Sequence, residues 1–315
     1  MKTILSADEV KKIYGKTDSI RAVDGVSLKL IKGKSLALIG ESGSGKTTFG
    51  KLAVGLEKVS SGTISFMGKE IQNLKEKEIR RLRRDMQMIF QSSSGVFDPG
   101  YTIGESIYEV LKNYVSLSKA EYSEAIEEVL EKVGLDPSFG NSYASQISGG
   151  QCQRANIARA LVLHPKMVIC DEPVSSLDFS IRKQILTLLR DMGQEFGITY
   201  LLITHDLSNV PYVCDAVAIM YQGKIVEQIA QTEQIEKTAL HPYTKLLFQS
   251  IPATDPRERK IGIPKGARPA AVQSDVKGCS FQNRCPYRKE VCKEVQPLLR
   301  EAATGHNVAC HCYHT

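Results

Sequence analysis

Nine consecutive residues rich in glycine have the clearest potential for chemistry in this sequence. They read Gly40-Glu41-Ser42-Gly43-Ser44-Gly45-Lys46-Thr47-Thr48. This is the pattern G-x-x-x-x-G-K-T of a phosphate-binding loop. The glycines allow the backbone to curl so that successive N–H groups point at one anion. We expect Lys46 to reach the β- and γ-phosphates of a nucleotide, and Thr47 to hold Mg²⁺.

The segments on either side of this loop have the composition that the motif requires. Residues 35–39 are an apolar run of strand type, and residues 47–56 can continue as a helix. Strand, loop and helix in that order are the context of a true phosphate loop. The helix adds the positive end of its dipole. The alternative, a glycine-rich turn that matches by chance, is disfavoured by this context.

Acidic and basic side chains follow two further apolar runs. Residues 166–170 lead into Asp171 and Glu172, and residues 198–204 lead into His205. We expect Asp171 to bind Mg²⁺ and Glu172 to orient or deprotonate a water molecule. Two acids can also simply end a strand, and a lone histidine is usually structural. At the carboxyl end of a core strand, however, His205 can reach a γ-phosphate.

A second helix start has the composition of an anion site. The string Ile147-Ser148-Gly149-Gly150-Gln151 opens a predicted helix that runs to His164. A serine and two glycines at a helix N-terminus present free N–H groups to an anion. A simple capped helix is the alternative, although the string is longer than a cap requires.

Two single residues are weaker candidates. Tyr14 lies upstream of the phosphate loop and could stack on an adenine ring; a partly buried strand tyrosine is the alternative. Gln91 ends the apolar run 86–91, where a side chain can touch a nucleotide or metal.

The remaining elements follow from periodicity and composition. We predict strands in 3–31 with a turn at Val23–Val26, a hairpin edge at 60–68, and a closing hairpin at 216–226. Helices are predicted for 71–85, 103–135 and 181–196. Beyond about residue 236 the prolines at 242, 252, 256, 264 and 269 indicate a linker-like stretch without strong periodicity.

Length, charge and hydropathy restrict the class of protein. The 315 residues suffice for one large domain or two modest ones, and 42% are apolar. No apolar stretch approaches the ~18–20 residues of a membrane span, and the start lacks a signal-peptide core. We expect a soluble, cytoplasmic chain that needs a partner for any membrane role. The net charge of +6 is mild, and the cluster Arg80–Arg84 follows Glu76 and Glu78 without aromatic residues, so we expect a solvated helix face and no nucleic-acid partner.

Five of the eight cysteines lie in the last 37 residues: Cys279, Cys285, Cys292, Cys310 and Cys312. Disulfides are rare in the cytoplasm, so a metal or cluster is the better hypothesis. The first four are separated by five, six and seventeen residues, and none of these gaps is the two-residue spacing common in zinc sites. We favour a structural [4Fe–4S] cluster on Cys279, Cys285, Cys292 and Cys310. Zinc, with His306 or His311 as further ligands, and reduced packed thiols remain open, and Cys312 could replace Cys310.

Together these motifs resemble the ATPase subunit of an ATP-binding-cassette (ABC) transporter. The matching order is the aromatic loop at Tyr14, Walker A at 40–48, the Q-loop at Gln91, the signature at 147–151, Walker B at 168–172, the D-loop at 175–178 with Ser176 and Asp178, and the switch histidine His205. The departures are Ile147, where leucine is usual, and Cys152, an uncommon residue directly after the signature.

The resemblance implies an α/β fold with three parts and an extension. These are a RecA-like P-loop NTPase core, an antiparallel β subdomain, an inserted helical subdomain at about 92–165, and a small cysteine-rich C-terminal extension. The nucleotide-binding domain spans 1–235 and the extension 236–315. The implied ATP-binding residues are Tyr14, Gly40, Ser42, Gly43, Ser44, Gly45, Lys46, Thr47, Thr48, Gln91, Ser148, Gly149, Gly150 and Gln151. Thr47, Gln91 and Asp171 are implied for Mg²⁺, and Glu172 and His205 for hydrolysis.

The extension resembles that of one importer group. The strings 241–247, 278–281, 284–286 and 305–311 look like the oligopeptide/dipeptide/nickel importers. This implies uptake of di- or oligopeptides; a nickel or metal-chelate importer is the alternative. A soluble cassette ATPase acting on DNA, ribosomes or iron–sulfur assembly commonly has two cassettes or a long coiled coil. This chain has one cassette and no sustained heptads.

The family mechanism implies several partners. Two ATPase subunits face each other head to tail, so that the signature of one closes over ATP on the phosphate loop of the other. The second subunit is a paralogue or another copy. Two membrane permeases would bind the pair at the cytoplasmic face of the membrane, and an extracellular solute-binding protein would deliver the solute.

Overall fold

The computed structural model describes residues 2–15, 19–91, 94–232, 235–249 and 277–313. Its strands are β1 (Thr3–Tyr14), β2 (Ile20–Ile31), β3 (Leu36–Ile39), β4 (Ser61–Phe66), β5 (Lys69–Glu70), β6 (Met86–Ile89), β7 (Met167–Asp171), β8 (Thr199–Thr204), β9 (Ala216–Tyr221), β10 (Lys224–Ile229), β11 (Arg300–Ala303) and β12 (His306–Val308). They form a four-stranded antiparallel sheet, in the order β2-β1-β4-β5, and an eight-stranded sheet, in the order β11-β12-β10-β9-β3-β8-β7-β6.

The α-helices surround the larger sheet. They are α1 (Lys46–Ala53), α2 (Glu76–Arg83), α3 (Ile103–Tyr114), α4 (Lys119–Lys132), α5 (Gly149–Leu161), α6 (Phe179–Phe196), α7 (Val210–Val213), α8 (Ile235–Thr238), α9 (Pro242–Gln249) and α10 (Val291–Glu294). None of the helices in the described parts of the chain combines the length and apolarity needed to cross a membrane.

The five strands β6, β7, β8, β3 and β9 run parallel, which brings their carboxyl ends to one edge of the sheet. Strand β3 lies between β8 and β9 at the centre. The segments that follow β3, β7 and β8 therefore emerge side by side. In open parallel sheets this edge is where ligands bind. Segments far apart in the sequence are thus positioned to form one site.

Two apolar clusters fill the two faces of the central sheet, and β3 contributes to both. Ala37 and Ile39 pack with the helices α3 to α6, while Leu36 and Leu38 pack with α1 and the antiparallel sheet. Successive side chains of a strand point to opposite faces, so a fully apolar run is what a strand covered on both sides requires. This burial fixes the loop after Ile39 at the middle of the sheet edge.

The helical region inserted between β6 and β7 has the periodicity that we predicted. Ile107, Leu111, Val129 and Val133 are buried where α3, α4 and α5 meet. The predicted segment 103–135 is divided into two helices, because Ser118 begins α4 with a reciprocal capping box. The predicted helix of 181–196 and the hairpin of 216–226 are also confirmed as α6 and β9–β10.

Two expectations about local structure were wrong. The segment Val23–Val26 is not a turn but the interior of β2. Gly25, with φ of +75°, is an extra residue there, because Val26 pairs with Val10 while Asp24 pairs with the next residue. A bulge of this kind bends a strand without ending it.

The chain beyond 236 also differs from the expected linker. Residues 242–249 form α9, and β12 pairs with β10, so that β11 and β12 extend the central sheet. The prolines at 252, 256, 264 and 269 lie outside the described residues.

Candidate nucleotide site

The phosphate loop leaves β3 and enters α1 at Lys46. Two of its glycines are required because a side chain there would collide with neighbouring backbone, and for Gly45 the backbone φ angle also favours glycine. A Cβ atom on Gly45 would lie 2.0 Å from the carbonyl oxygen of Ala22, and one on Gly40 would lie 2.2 Å from that of Met220. Gly45 also has φ of +102°, in the region that favours glycine. The loop is therefore wrapped tightly against β2 and β9.

Lys46 is buried and its ammonium group turns back into the loop. Its Nζ donates to the carbonyl oxygen of Gly40 at 2.7 Å and to that of Glu41 at 2.9 Å. Burial lowers the pKa of Lys46, and the nearby carboxylates of Glu172 and Asp171 oppose that shift. A charged amine held by carbonyl groups in a partly dry loop is ready to exchange those oxygens for phosphate oxygens.

Thr47 and Asp171 form a pair of oxygen donors beside Lys46. The Thr47 hydroxyl donates to Asp171 Oδ1 at 3.0 Å. Asp171 is buried at the end of β7, and burial raises the pKa of its carboxyl, whereas the Thr47 hydrogen bond lowers it. A hydroxyl and a carboxylate are oxygen ligands that Mg²⁺ binds together with waters and substrate phosphates. These two residues fit a magnesium ion bound in that way.

Glu172 and His205 lie next to that pair. His205 Nδ1 is 2.8 Å from Glu172 Oε1. Glu172 has φ of +47°, a backbone conformation that non-glycine residues rarely adopt, and its N–H donates to the Ile203 carbonyl at 2.9 Å. Such strain is typical of functional sites. The Glu172 side chain is 15% exposed and that of His205 is 56% exposed, so the carboxylate is sheltered and the imidazole faces solvent.

Tyr14 lies close to the loop but is engaged by polar groups. Its hydroxyl donates to Glu57 and contacts the side chain of Thr48. Lys12 Nζ lies 4.9 Å from the centroid of its ring. Burial and the Glu57 carboxylate raise the pKa of Tyr14. Gln91 follows β6, which ends two residues earlier than we predicted, and is exposed.

The signature string forms the start of α5. Ser148 Oγ accepts from the Gln151 N–H at 3.3 Å, and Gln151 Oε1 accepts from the Ser148 N–H at 2.9 Å. This is a complete capping box at the start of α5. Ser148 and Gly149 are exposed, in the helical region with α3 and α4. Both side chains of the box serve the helix, and Gly150 lies against Ile181 of α6.

The D-loop is also open to solvent. Ser176 and Asp178 are exposed, and Asp178 caps α6 by accepting from the Ile181 N–H at 3.0 Å. The next residue, Phe179, has 81% of its surface exposed.

The cysteines of the extension lie near one another. The Cys279 N–H donates to the Cys292 carbonyl at 2.8 Å, and burial together with the nearby thiols of Cys292 and Cys312 raises the pKa of Cys285. All of these thiols are free. Within the described residues, no group of three or more His, Cys, Asp or Glu side chains is arranged to hold a metal ion.

The histidines that we considered as zinc ligands have other partners. His306 Nε2 lies 2.7 Å from Glu227 Oε1, in a buried pair. His311 Nε2 lies 2.9 Å from the carbonyl oxygen of Val295. Both histidines that we considered for a zinc site are therefore engaged by other groups.

Two residues that the sequence analysis did not assign to the site contact Glu41 of the phosphate loop. Arg284 forms an ion pair with Glu41, and the hydroxyl of Tyr243 accepts from the Glu41 N–H at 2.9 Å. They are separated from Glu41 by 243 and 202 residues respectively. No periodicity or local motif indicates such a contact.

A groove of about 210 Å³ lies between the central sheet and the helical region. Its lining is mostly apolar, with two arginines at its margins. It is formed by Val54, Leu56, Arg83, Met86, Gln87, Met88, Phe90, Val96, Val110, Tyr114, Asn156, Arg159 and Ala160.

The comparisons with known proteins agree with this geometry. The family "ABC transporter" matches residues 23–175, and the family "Oligopeptide/dipeptide transporter, C-terminal region" matches residues 226–292. The chain is similar to the oligopeptide transport ATP-binding protein AppF of Bacillus subtilis, with 42% identity over 99% of this chain and 98% of that protein. It is also similar to the oligopeptide transport ATP-binding protein OppF of Salmonella typhimurium, with 41% identity over 93% of this chain and 88% of that protein.

Solved structures show the same fold. One is a dimeric ATP-binding cassette in a post-hydrolysis state with ADP and inorganic phosphate. It has a TM-score of 0.66 and 27% identity, over 72% of this chain and 98% of that chain. Another is cbiO1 from Clostridium perfringens, part of an ABC transporter complex, with a TM-score of 0.67 and 29% identity, over 75% of this chain and 92% of that chain.

Fold and site together define an ATP-binding-cassette ATPase, as the sequence predicted. Within that class, the chain belongs to the oligopeptide/dipeptide transporter family of ATP-binding subunits. ATP and Mg²⁺ are the substrate and cofactor of this class.

Proposed function

We propose that this ATPase powers the import of di- or oligopeptides through separate membrane permease subunits. The observation that carries the peptide assignment is the match of residues 226–292 to the C-terminal region of oligopeptide/dipeptide transporters. The relatives AppF and OppF are named for oligopeptide transport, and they match over nearly the whole chain. A nickel or metal-chelate solute is the competing assignment that the experiment below must separate.

Within this proposal the phosphate loop binds ATP and the sheet edge hydrolyses it. The N–H groups of the loop and Lys46 bind the β- and γ-phosphates. Thr47, Asp171 and Gln91 would hold Mg²⁺, which would neutralise negative charge on the phosphates. Glu172 orients and deprotonates the attacking water. His205, 2.8 Å from Glu172, fixes that carboxylate and reaches the γ-phosphate. The support is the proximity of these groups at one edge of the sheet.

The active unit is a head-to-tail pair of ATPase subunits. In it, Ser148, Gly149 and Gly150 of one subunit close over ATP on the phosphate loop of the other. The exposed α5 N-terminus and the exposed Phe179 beside the D-loop support a surface of this kind. Neither subunit alone can exclude water from the γ-phosphate, so closure of the pair turns ATP binding into motion. The second subunit is a paralogue or another copy of this chain.

The permeases bind at the groove between the central sheet and the helical region. The groove is mostly apolar, and its lining includes Gln87 and Phe90, which lie close in the sequence to Gln91. An amphipathic helix placing its apolar face in such a groove is a common recognition mode. The chain then lies at the cytoplasmic face of the membrane without entering it, and a solute-binding protein delivers the peptide on the other side.

We further propose a structural [4Fe–4S] cluster on Cys279, Cys285, Cys292 and Cys310. The proximity of these thiols supports it, but the described conformation does not itself form a ligand set. The cluster therefore takes part in no step of the proposed mechanism. Its role would be to supply folding energy to the extension.

The deciding experiment is purification of the tagged chain from detergent-solubilised membranes, with identification of the copurifying chains and reconstitution into liposomes. We expect two permeases, and ATP-dependent accumulation of a labelled tripeptide when the solute-binding protein is present. Glu172→Gln is the matched inactive control. Accumulation of nickel but not peptide would overturn the peptide assignment, and copurification without any membrane protein would overturn the transporter role.

A further inference from the structure

The C-terminal extension contacts the phosphate loop through a bidentate ion pair. Arg284 Nη1 lies 2.8 Å from Glu41 Oε2, and Arg284 Nη2 lies 2.9 Å from Glu41 Oε1. The Arg284 side chain is only 7% exposed, whereas that of Glu41 is 41% exposed. Parallel N–H···O contacts between a guanidinium and a carboxylate fix orientation as well as charge. The rotamer of Glu41 is therefore set by a residue of the extension.

Arg284 is itself held rigidly by aromatic rings. Its guanidinium lies 5.8 Å from the ring centroid of Tyr221 and 5.7 Å from that of Phe281. Those two rings meet edge to face at 5.3 Å, and Tyr243 packs against both of them. An arginine that is pre-organised between rings loses little further freedom when it binds a carboxylate.

The same rings hold the backbone of the loop. The Tyr243 hydroxyl accepts from the Glu41 N–H at 2.9 Å, and Tyr221 directly follows Met220, whose carbonyl oxygen approaches Gly40. Glu41 thus receives one contact at its backbone and two at its side chain from outside the loop. Its own carbonyl oxygen accepts from Lys46 Nζ at 2.9 Å. A short chain of contacts leads from Arg284 to the ammonium group that binds phosphate.

The negative charge of Glu41 links its ion pair with Arg284 to phosphate binding. A carboxylate near a nucleotide phosphate repels it, and the Glu41 carboxylate is close enough to Lys46 to affect its ammonium group. Since both carboxylate oxygens are bound to the guanidinium, that negative charge is neutralised locally. Arg284 acts through Glu41 because both of its terminal nitrogens are directed at this carboxylate.

We propose that Arg284 is a positioning residue of the nucleotide site: by neutralising and orienting Glu41 it sets the affinity of the phosphate loop for ATP. A residue of the C-terminal extension thereby adjusts the ATP affinity of the phosphate loop. This inference rests on the proposal that residues 40–48 bind the phosphates of ATP.

The test uses the full chain in the assembled transporter, with the KM for ATP and kcat as readouts. Arg284→Gln leaves the Glu41 carboxylate unpaired, and we expect the KM to rise about fivefold with kcat nearly unchanged. Raising the salt from about 0.05 to about 0.5 M should reduce that rise, because Glu41 is partly exposed and its charge is screened. The matched control is Arg300→Gln, which removes the same charge from an exposed position of the extension.

The decisive variant is the double substitution Glu41→Gln with Arg284→Gln. It removes both charges and leaves no unpaired carboxylate beside the phosphate loop, so the KM should return to within about twofold of the parent value. A double variant as impaired as Arg284→Gln alone, or a salt-independent loss, would show a merely structural role and overturn the proposal. Melting curves of all variants establish that they fold.

Two further variants are needed. One replaces Arg284→Gln if that variant does not fold, and the other tests the phosphate-loop assignment separately. If Arg284→Gln does not fold, Arg284→Lys keeps the positive charge but loses the bidentate contact with the carboxylate. We expect its KM to rise about twofold. An unchanged KM for this variant would overturn the proposal. Lys46→Ala distinguishes the two levels of inference. If it retains ATP affinity, the phosphate loop assignment itself is wrong; if it loses affinity while Arg284→Gln has a normal KM, only the role of Arg284 is wrong.

Discussion

Glu172 and His205 are 33 residues apart in the sequence, yet Glu172 Oε1 lies 2.8 Å from His205 Nδ1. Their contact is a product of strand order, because β7 and β8 are parallel neighbours and end at the same edge. The Glu172 N–H donates to the carbonyl oxygen of Ile203 on that neighbouring strand, which holds the strained backbone of Glu172 in place. A carboxylate that is fixed in this way is suited to orient one water molecule.

Glu172→Gln is expected to keep ATP binding and to lower steady turnover by about 10²- to 10⁴-fold, because the water loses its general base while the phosphate loop stays intact. Turnover in the assembled complex and ATP binding to the same preparation are the measurements. Lys183→Gln, on the exposed side of α6, is the control and should be neutral. Hydrolysis by Glu172→Gln at near the parent rate would show that another group is the base.

Lys46→Ala is expected to weaken nucleotide binding itself by about 10-fold or more, since a charge-assisted contact to the phosphates is lost. Binding of a fluorescent ATP analogue to the chain measures this. Lys58→Ala, which removes an exposed lysine from the loop after α1, serves as the comparison. Equal affinities for the two variants would contradict the role of Lys46.

Ser148→Arg is expected to leave ATP binding by the isolated chain nearly intact and to block hydrolysis in the assembled pair. The long side chain would project from the exposed start of α5, where we propose that the nucleotide of the other subunit binds. Ser123→Arg, an exposed position on α4, is the matched control and should remain active. If the isolated Ser148→Arg chain loses ATP affinity, the signature and the phosphate loop act within one subunit.

His306→Ala is expected to destabilise the extension by about 3–5 kcal/mol, the usual loss when one partner of a buried pair is removed. Glu227 has no exposed surface and also accepts from the N–H groups of Leu240 and His241, so its carboxylate would remain buried with one partner missing. Thermal unfolding and limited proteolysis between 230 and 313 measure this. An unchanged melting temperature would show that water replaces the imidazole without loss.

Cys285→Ser is expected to release the metal centre of the extension, if the centre is the [4Fe–4S] cluster that we propose. Anaerobic purification of the parent should give about four irons and four sulfides per chain, as the cluster formula requires, and the variant should give neither. Stoichiometric zinc without sulfide would replace the cluster by a zinc site. Absence of any metal would leave reduced, packed thiols.

The sequence alone determined the phosphate loop and the elements around it. The residues of the loop are consecutive, and its strand and helix are adjacent to it, so that local composition contains the whole motif. The same holds for the capped start of α5 and for the apolar runs of β7 and β8, whose burial on both faces requires continuous hydrophobicity. Because parallel strands end at one edge, even the proximity of Glu172 and His205 could be expected from the sequence.

The tertiary structure alone decided how the chain beyond 236 joins the core. Strand β12 has three residues and β11 is wholly exposed, so neither has an alternating pattern that sequence analysis can detect. Pairing of β12 with β10, and of β11 with β12, supplies the backbone hydrogen bonds that make them strands. The ion pair of Glu41 with Arg284 spans 243 residues. Such a contact depends on where the aromatic rings around Tyr243 pack, and packing of this kind is a property of the assembled core rather than of any segment.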